Sequence, residues 1–344
     1  MCLLAAASIS GCGGGGGDSA PTTSTAATST SISPPTSTPI PTSSEAPTPN
    51  PGQTPVTLTT ITPNQARLVA ARALVSSDVY VVGGVSIASS DLIRMTTGTF
   101  QLSPINCPQG GSYSYSWTRP SSSRPTYPAA SGDIIEIAGK ACRTRSPFSA
   151  DTSLLDGSAT AVVVRASGVP YAGGNWVFNA NQTHAAFTAF RGTKTVALTG
   201  SVQLEASSTG VSVFDSSTLS TWRFNHLTVG TVDTSLVVTS GSISAAASFA
   251  QTTRTVSYNE LNWKMALVEP GQTAFVTNTS DFPIVYSFGL PVSGIMTITS
   301  GRVRLVVTVT NVGSLRLDVG NTNDSAITST QTVTWDALKA LSPL

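Results

Sequence analysis

The chain has two histidines, His184 and His226, and each follows a Trp-x-Phe-Asn element, Trp176-Val177-Phe178-Asn179 and Trp222-Arg223-Phe224-Asn225. An imidazole titrates near neutral pH and is the usual general base, but it acts only with a partner within hydrogen-bond reach. Serines are abundant, yet none sits in a Gly-x-Ser-x-Gly elbow, and the matching placement of the histidines points to a structural turn rather than a triad. No catalytic residue is assigned. Asp318-Val319-Gly320-Asn321-Thr322-Asn323-Asp324 is oxygen-rich, but it fails the EF-hand spacing of alternate acids, mid-loop glycine and distal glutamate. It reads as a polar turn between strands, and no metal or other cofactor is expected. Tyr113, Tyr115 and Trp117 alternate with Ser112, Ser114 and Ser116, so the aromatics share one face of a strand. In register they could form a platform for sugar rings or a peptide, although such a stripe more commonly packs a core. They are the ligand-binding candidate.

The elements that must hold these residues are mainly strands. Thr62-Pro63-Asn64-Gln65 reads as an N-cap with proline at the first helical position, opening a helix over about 62–77. From Tyr80 the pattern changes to period two. Val196, Leu198, Gly200, Val202, Leu204 and Ala206 share one face against Thr199, Gln203 and Glu205; Val303–Val309 and Leu315–Val319 alternate in the same way, with Arg316 and Asp318 on the wet face. One buried face and one wet face is the signature of antiparallel sheets.

A weak repeat organises the second half: Gly157-Ser158, Gly200-Ser201, Gly241-Ser242 and Gly294-Ile295 each open a strand. Trp176, Trp222 and Trp263 follow the first three, and Trp335 follows the last only after an inserted hairpin. Glycine in phase with inward residues implies a bend. The expected fold is a curved antiparallel sheet of repeated hairpins, closed as a barrel or folded as a sandwich, with a short C-terminal helix from Thr334. Outer faces rich in Ser, Thr, Arg and Gln, and aromatics at 7%, argue against a lipid-facing barrel.

The N-terminus gives the address. Met1 to Ser8 is a short apolar run, and Ile9-Ser10-Gly11 places small residues before Cys12. These residues resemble the lipobox of bacterial lipoprotein signal peptides, which implies cleavage after residue 11, acylation of Cys12 and contact with a lipid bilayer; Gly13 rather than Asp after the cysteine implies sorting to the outer membrane. No Lys or Arg precedes the apolar run, so the start codon is expected upstream. Between Asp18 and Pro55, 27 of 38 residues are Ser, Thr or Pro, too few apolar groups to offset the entropy of ordering. Residues 12–56 are therefore expected to be a tether and residues 57–344 a β-rich domain. With Cys2 cleaved away and Cys12 acylated, Cys107 and Cys142 form an even pair in an exported domain and read as a disulfide, not as a zinc site.

From Pro63-Asn64-Gln65-Ala66 through Cys107-Pro108-Gln109-Gly110-Gly111, Gly132-Asp133 and the Gly-Ser repeats to Trp335, the chain resembles a group of Gram-negative outer-membrane lipoproteins of uncharacterised activity. Their Gly-Asp-Gly-rich segment before the last tryptophan is replaced here by Asn321-Thr322-Asn323. With 18 Lys+Arg against 17 Asp+Glu, nucleic acid is excluded as a partner. Two readings follow: a non-catalytic envelope module that binds a glycan or an envelope protein, or a secreted polysaccharide hydrolase. The second needs paired carboxylates about 5 to 9 Å apart across a cleft.

Overall fold

The computed structural model describes residues 56–74, 105–107, 110–119, 129–145, 152–168, 175–191, 194–210, 216–230, 235–248, 253–267, 271–279, 281–323 and 326–341. The expectations for Cys12, for the tether and for the chain just after Tyr80 lie outside them.

Helix α1 spans Pro63–Ala71 and starts where the sequence signals it. Thr62 Oγ1 accepts from the Gln65 backbone N–H, and Gln65 Oε1 accepts from the Thr62 N–H at 2.9 Å, a reciprocal cap that satisfies two otherwise orphaned donors. A wider turn carries the chain to Leu74. Ala66, Val69, Ala70, Ala71, Ala73 and Leu74 are buried, and the small alanines let the helix lie close to the sheet.

Sixteen strands follow among the described residues: β1 (Ile105–Asn106), β2 (Ser112–Thr118), β3 (Ile134–Arg145), β4 (Thr152–Ser167), β5 (Trp176–Arg191), β6 (Lys194–Gly210), β7 (Ser216–Gly230), β8 (Ser235–Ser248), β9 (Thr253–Met265), β10 (Thr273–Asn278), β11 (Ile284–Ser287), β12 (Leu290–Ser293), β13 (Ile295–Ser300), β14 (Val303–Asn311), β15 (Ser314–Asn321) and β16 (Ile327–Thr334). Helix α2 (Trp335–Leu341) follows directly. All strands belong to one antiparallel sheet in the order β1 to β10, then β13 to β16. Strand β9 holds β10 along one half and β11 along the other, and β11 carries β12 as a side hairpin. Among the described residues the first and last strands of this order, β1 and β16, do not pair, so the sheet they form is open rather than closed into the barrel left open by the sequence. Inward side chains from β3 to β16, with α1 and α2, still share one core. Arg67 Nε donates to Gln331 Oε1 at 2.7 Å and Gln331 Nε2 donates to the Pro63 carbonyl at 2.8 Å, clasping α1 to β16.

Of the four glycine elements only Gly294-Ile295 opens a strand, β13 at Ile295; the other three do not. Gly157, Gly200 and Gly241 lie inside β4, β6 and β8, and Gly294 joins β12 to β13. Each stands at or beside a slip in register with a neighbouring strand, except Gly294, which bridges two strands. The slips line up as a crease across the sheet. At Gly241 (φ +107°) a Cβ would stand 2.5 Å from the Glu260 carbonyl oxygen, so a side chain there is barred by space as well as by backbone conformation. Bulges of this kind bend strands and increase their twist, which curls one long sheet around one core. The expected inserted hairpin before Trp335 is β14–β15.

Candidate functional site

Three sequence expectations change on the fold. His184 and His226 lie within β5 and β7, not in turns. His184 points inward at 1% exposure, whereas His226 is exposed, because the bulges of the crease shift the alternation differently in the two strands. Neither His184 ring nitrogen has a hydrogen-bond partner among the described residues, and burial lowers its pKa to about 4. Asp318 to Asn321 belong to β15, and Asp318 is buried rather than wet. Its carboxylate accepts from Arg316 Nε and Thr330 Oγ1, both at 2.8 Å. These partners replace water around the carboxylate.

Tyr113 and Trp117 of β2 are half-buried and pack against the core, with the Arg119 guanidinium 4.1 Å from the Trp117 ring centroid. The Tyr115 side chain lies outside the described residues. Cys107 and Cys142 form a disulfide with Cα atoms 5.4 Å apart. Cys142 follows Ala141, which has φ +45°, so the bond pins the bulge in β3 to the turn before β2.

The crease also produces a feature that no motif announced. Between β8 and β9 the register slips twice, at Val238/Ser240 and at Ser240/Ser242. At the slips, short polar side chains bridge the two strands on the outer face. Asn262 Nδ2 donates to Ser240 Oγ at 3.0 Å and to the Glu260 carbonyl at 2.8 Å, while Asn259 Nδ2 donates to Ser242 Oγ at 3.3 Å. Two hollows of about 460 and 400 Å³ share Ser240 and Asn262 and so make one furrow. Lys264 stands in one half; Arg223 and Glu260 stand in the other. Arg223 Nη2 is 3.3 Å from Glu205 Oε2. On the opposite, core face of the same strands Trp263 stacks on Phe275 with centroids 4.6 Å apart, and its Nε1 donates to Thr277 Oγ1 at 2.9 Å.

Comparison with protein-family models, with curated proteins and with solved structures finds no match to this chain.

Amides and hydroxyls, which both donate and accept, line the furrow together with two cations and one carboxylate. Such a surface offers donors and acceptors on the same side chains. Glu205 is engaged by Arg223, and Glu260 is exposed. Among the described residues no group of three or more His, Cys, Asp or Glu side chains could hold a metal. Sequence reasoning missed Ser240, Asn259, Glu260 and Asn262 because they converge only through cross-strand register. The nearest signal was Gly241, read as a bend.

Proposed function

We propose that the chain is an outer-membrane lipoprotein, acylated at Cys12, whose β domain is a non-catalytic module that binds a hydroxyl-rich envelope glycan. The furrow carries this reading: its amide and hydroxyl lining matches sugar hydroxyls, and cross-strand hydrogen bonds from Asn262 and Asn259 hold those groups in place without ligand. The Cys107–Cys142 disulfide supports export, since such bonds persist in oxidising compartments. Titration of the full chain with soluble envelope oligosaccharides should give saturable heat, and Asn262→Ala should weaken binding about tenfold, as expected for losing hydrogen bonds that hold the site together. Absence of binding to any glycan fraction would sink the binding module; release of new reducing ends would replace it with a hydrolase. With a complete upstream signal peptide restored, radiolabelled palmitate should enter the chain but not its Cys12→Ala variant.

A further inference from the structure

The end of the sheet carrying the β11–β12 and β14–β15 turns is built unlike a spare surface. Phe288 and Gly289 form a two-residue turn between Ser287 and Leu290, with φ +48° and +79°. Glycine, asparagine and aspartate are the residues such turns favour, and a bulky residue there is a conformational outlier. Phe288 is nevertheless 76% exposed, so no packing in the domain compensates the strain. Beside it, the Val312-Gly313 turn joins β14 to β15 and presents Val312 at 64% exposure. The Gly313 N–H donates to the Pro291 carbonyl at 2.9 Å, tying the two tips together, and Leu290 is also exposed. The charges of the adjoining helix α2, Asp336 and Lys339, are paired with each other at 2.6 Å.

We propose that Phe288, Leu290 and Val312 form a second, non-covalent contact with a lipid surface, the tips dipping into the acyl boundary of a bilayer. Size argues for lipid over protein. Three side chains on two tips offer on the order of 300 Å², far below the roughly 800 Å² per partner of a stable protein interface. They also protrude, and a bilayer requires no complementary shape.

The position of the preceding chain is compatible. Val56 pairs with Thr273, and the Leu58 carbonyl accepts from Arg302 N–H, at the opposite end of β14 from Val312. The tips therefore stand about 30 Å from that entry, given nine strand residues at about 3.4 Å each. The 44 residues from Cys12 to the one before Val56 can extend up to about 150 Å, enough to let that far end turn back to a membrane. The inference needs the anchor only to keep the domain near lipid, and it is independent of the furrow.

The test uses the full chain carrying Cys12→Ser, so that no acyl group contributes, with vesicles of phosphatidylethanolamine and phosphatidylglycerol. The protein should float with the vesicles. Phe288→Asn with Val312→Thr should reduce partitioning at least tenfold, whereas Phe288→Leu should retain it. Because asparagine suits a positive φ, Phe288→Asn alone should leave the urea midpoint unchanged or higher, separating lipid contact from folding. Failure of the parent to float, or equal flotation of the double variant, would overturn the proposal. Self-association without lipid that the double variant abolishes would also overturn it, making a second copy the occupant. A positive result with unacylated protein would stand even if palmitate labelling at Cys12 failed.

Discussion

Burial, rather than a partner, controls His184. Its charged form is disfavoured in the core, so the folded-state pKa near 4 lies below the ordinary value of 6.5. Between these values the unfolded chain binds a proton that the folded chain refuses. Stability therefore falls as pH drops from about 6.5 to 4, by about 3 kcal/mol in total, and His184 contributes no further slope below that window. Urea midpoints measured across this range should show a steeper loss for wild type than for His184→Leu; parallel curves would mean that the imidazole is not desolvated. At pH 7 His184→Leu should be neutral or stabilising, because it removes two buried nitrogens without partners. Tyr258 and Tyr286 obey the same rule: burial raises both phenols above their usual range, and Arg254 opposes the rise only in part. They remain protonated packing groups. The aromatic seam they help build continues to Trp335, which meets Tyr286 edge-on at 5.9 Å.

At the scale of the element, the crease turns a run of hairpins into a curved sheet. Its glycines are not interchangeable with glycines elsewhere. Gly241→Ala should destabilise the domain by about 2 to 4 kcal/mol, since a Cβ there collides with backbone that cannot step aside. Gly110→Ala has the same φ of +107° but meets nothing within 4 Å, so it should cost only the conformational penalty of about 1 to 2 kcal/mol. Equal losses by chemical denaturation would show that steric closure plays no part in the crease. Glu260 faces Gly241 with φ +43°, a strained value for a side-chain-bearing residue. Glu260→Gly should relieve that strain and stabilise by up to about 1 kcal/mol. It would also remove the furrow's carboxylate, so glycan titration of this variant separates fold from site.

For the whole molecule, the disulfide and the shared core act together. Among the described residues the sheet ends at β1 and β16, and Cys107–Cys142 fastens the β1–β2 end to β3. Replacing both cysteines by alanine should lower stability by about 3 to 4 kcal/mol, the chain-entropy value for residues 35 apart. Unchanged urea midpoints under reducing and oxidising conditions would contradict that role. Loss should begin at the N-terminal strands, which hydrogen exchange would report as faster exchange in β2 and β3 than in β14 and β15.

Local rules made much of this molecule legible from its sequence. Thr62, Pro63 and Gln65 announced α1 because capping is settled within one turn of chain. Period-two alternation announced β6, β14 and β15 because a half-buried strand needs it, and the cysteine pair was readable from number and context. The Gly-Trp repeat showed that hairpins recur and that glycines bend them. Where the bends fall was decided only by the tertiary structure, because a bulge is a relation between two strands. The same relation buried His184 while leaving His226 exposed, moved Asp318 from water to the partners Arg316 and Thr330, and brought Ser240, Asn259 and Asn262 to one furrow. Cross-strand register is a property of paired chains and leaves no mark in either strand alone.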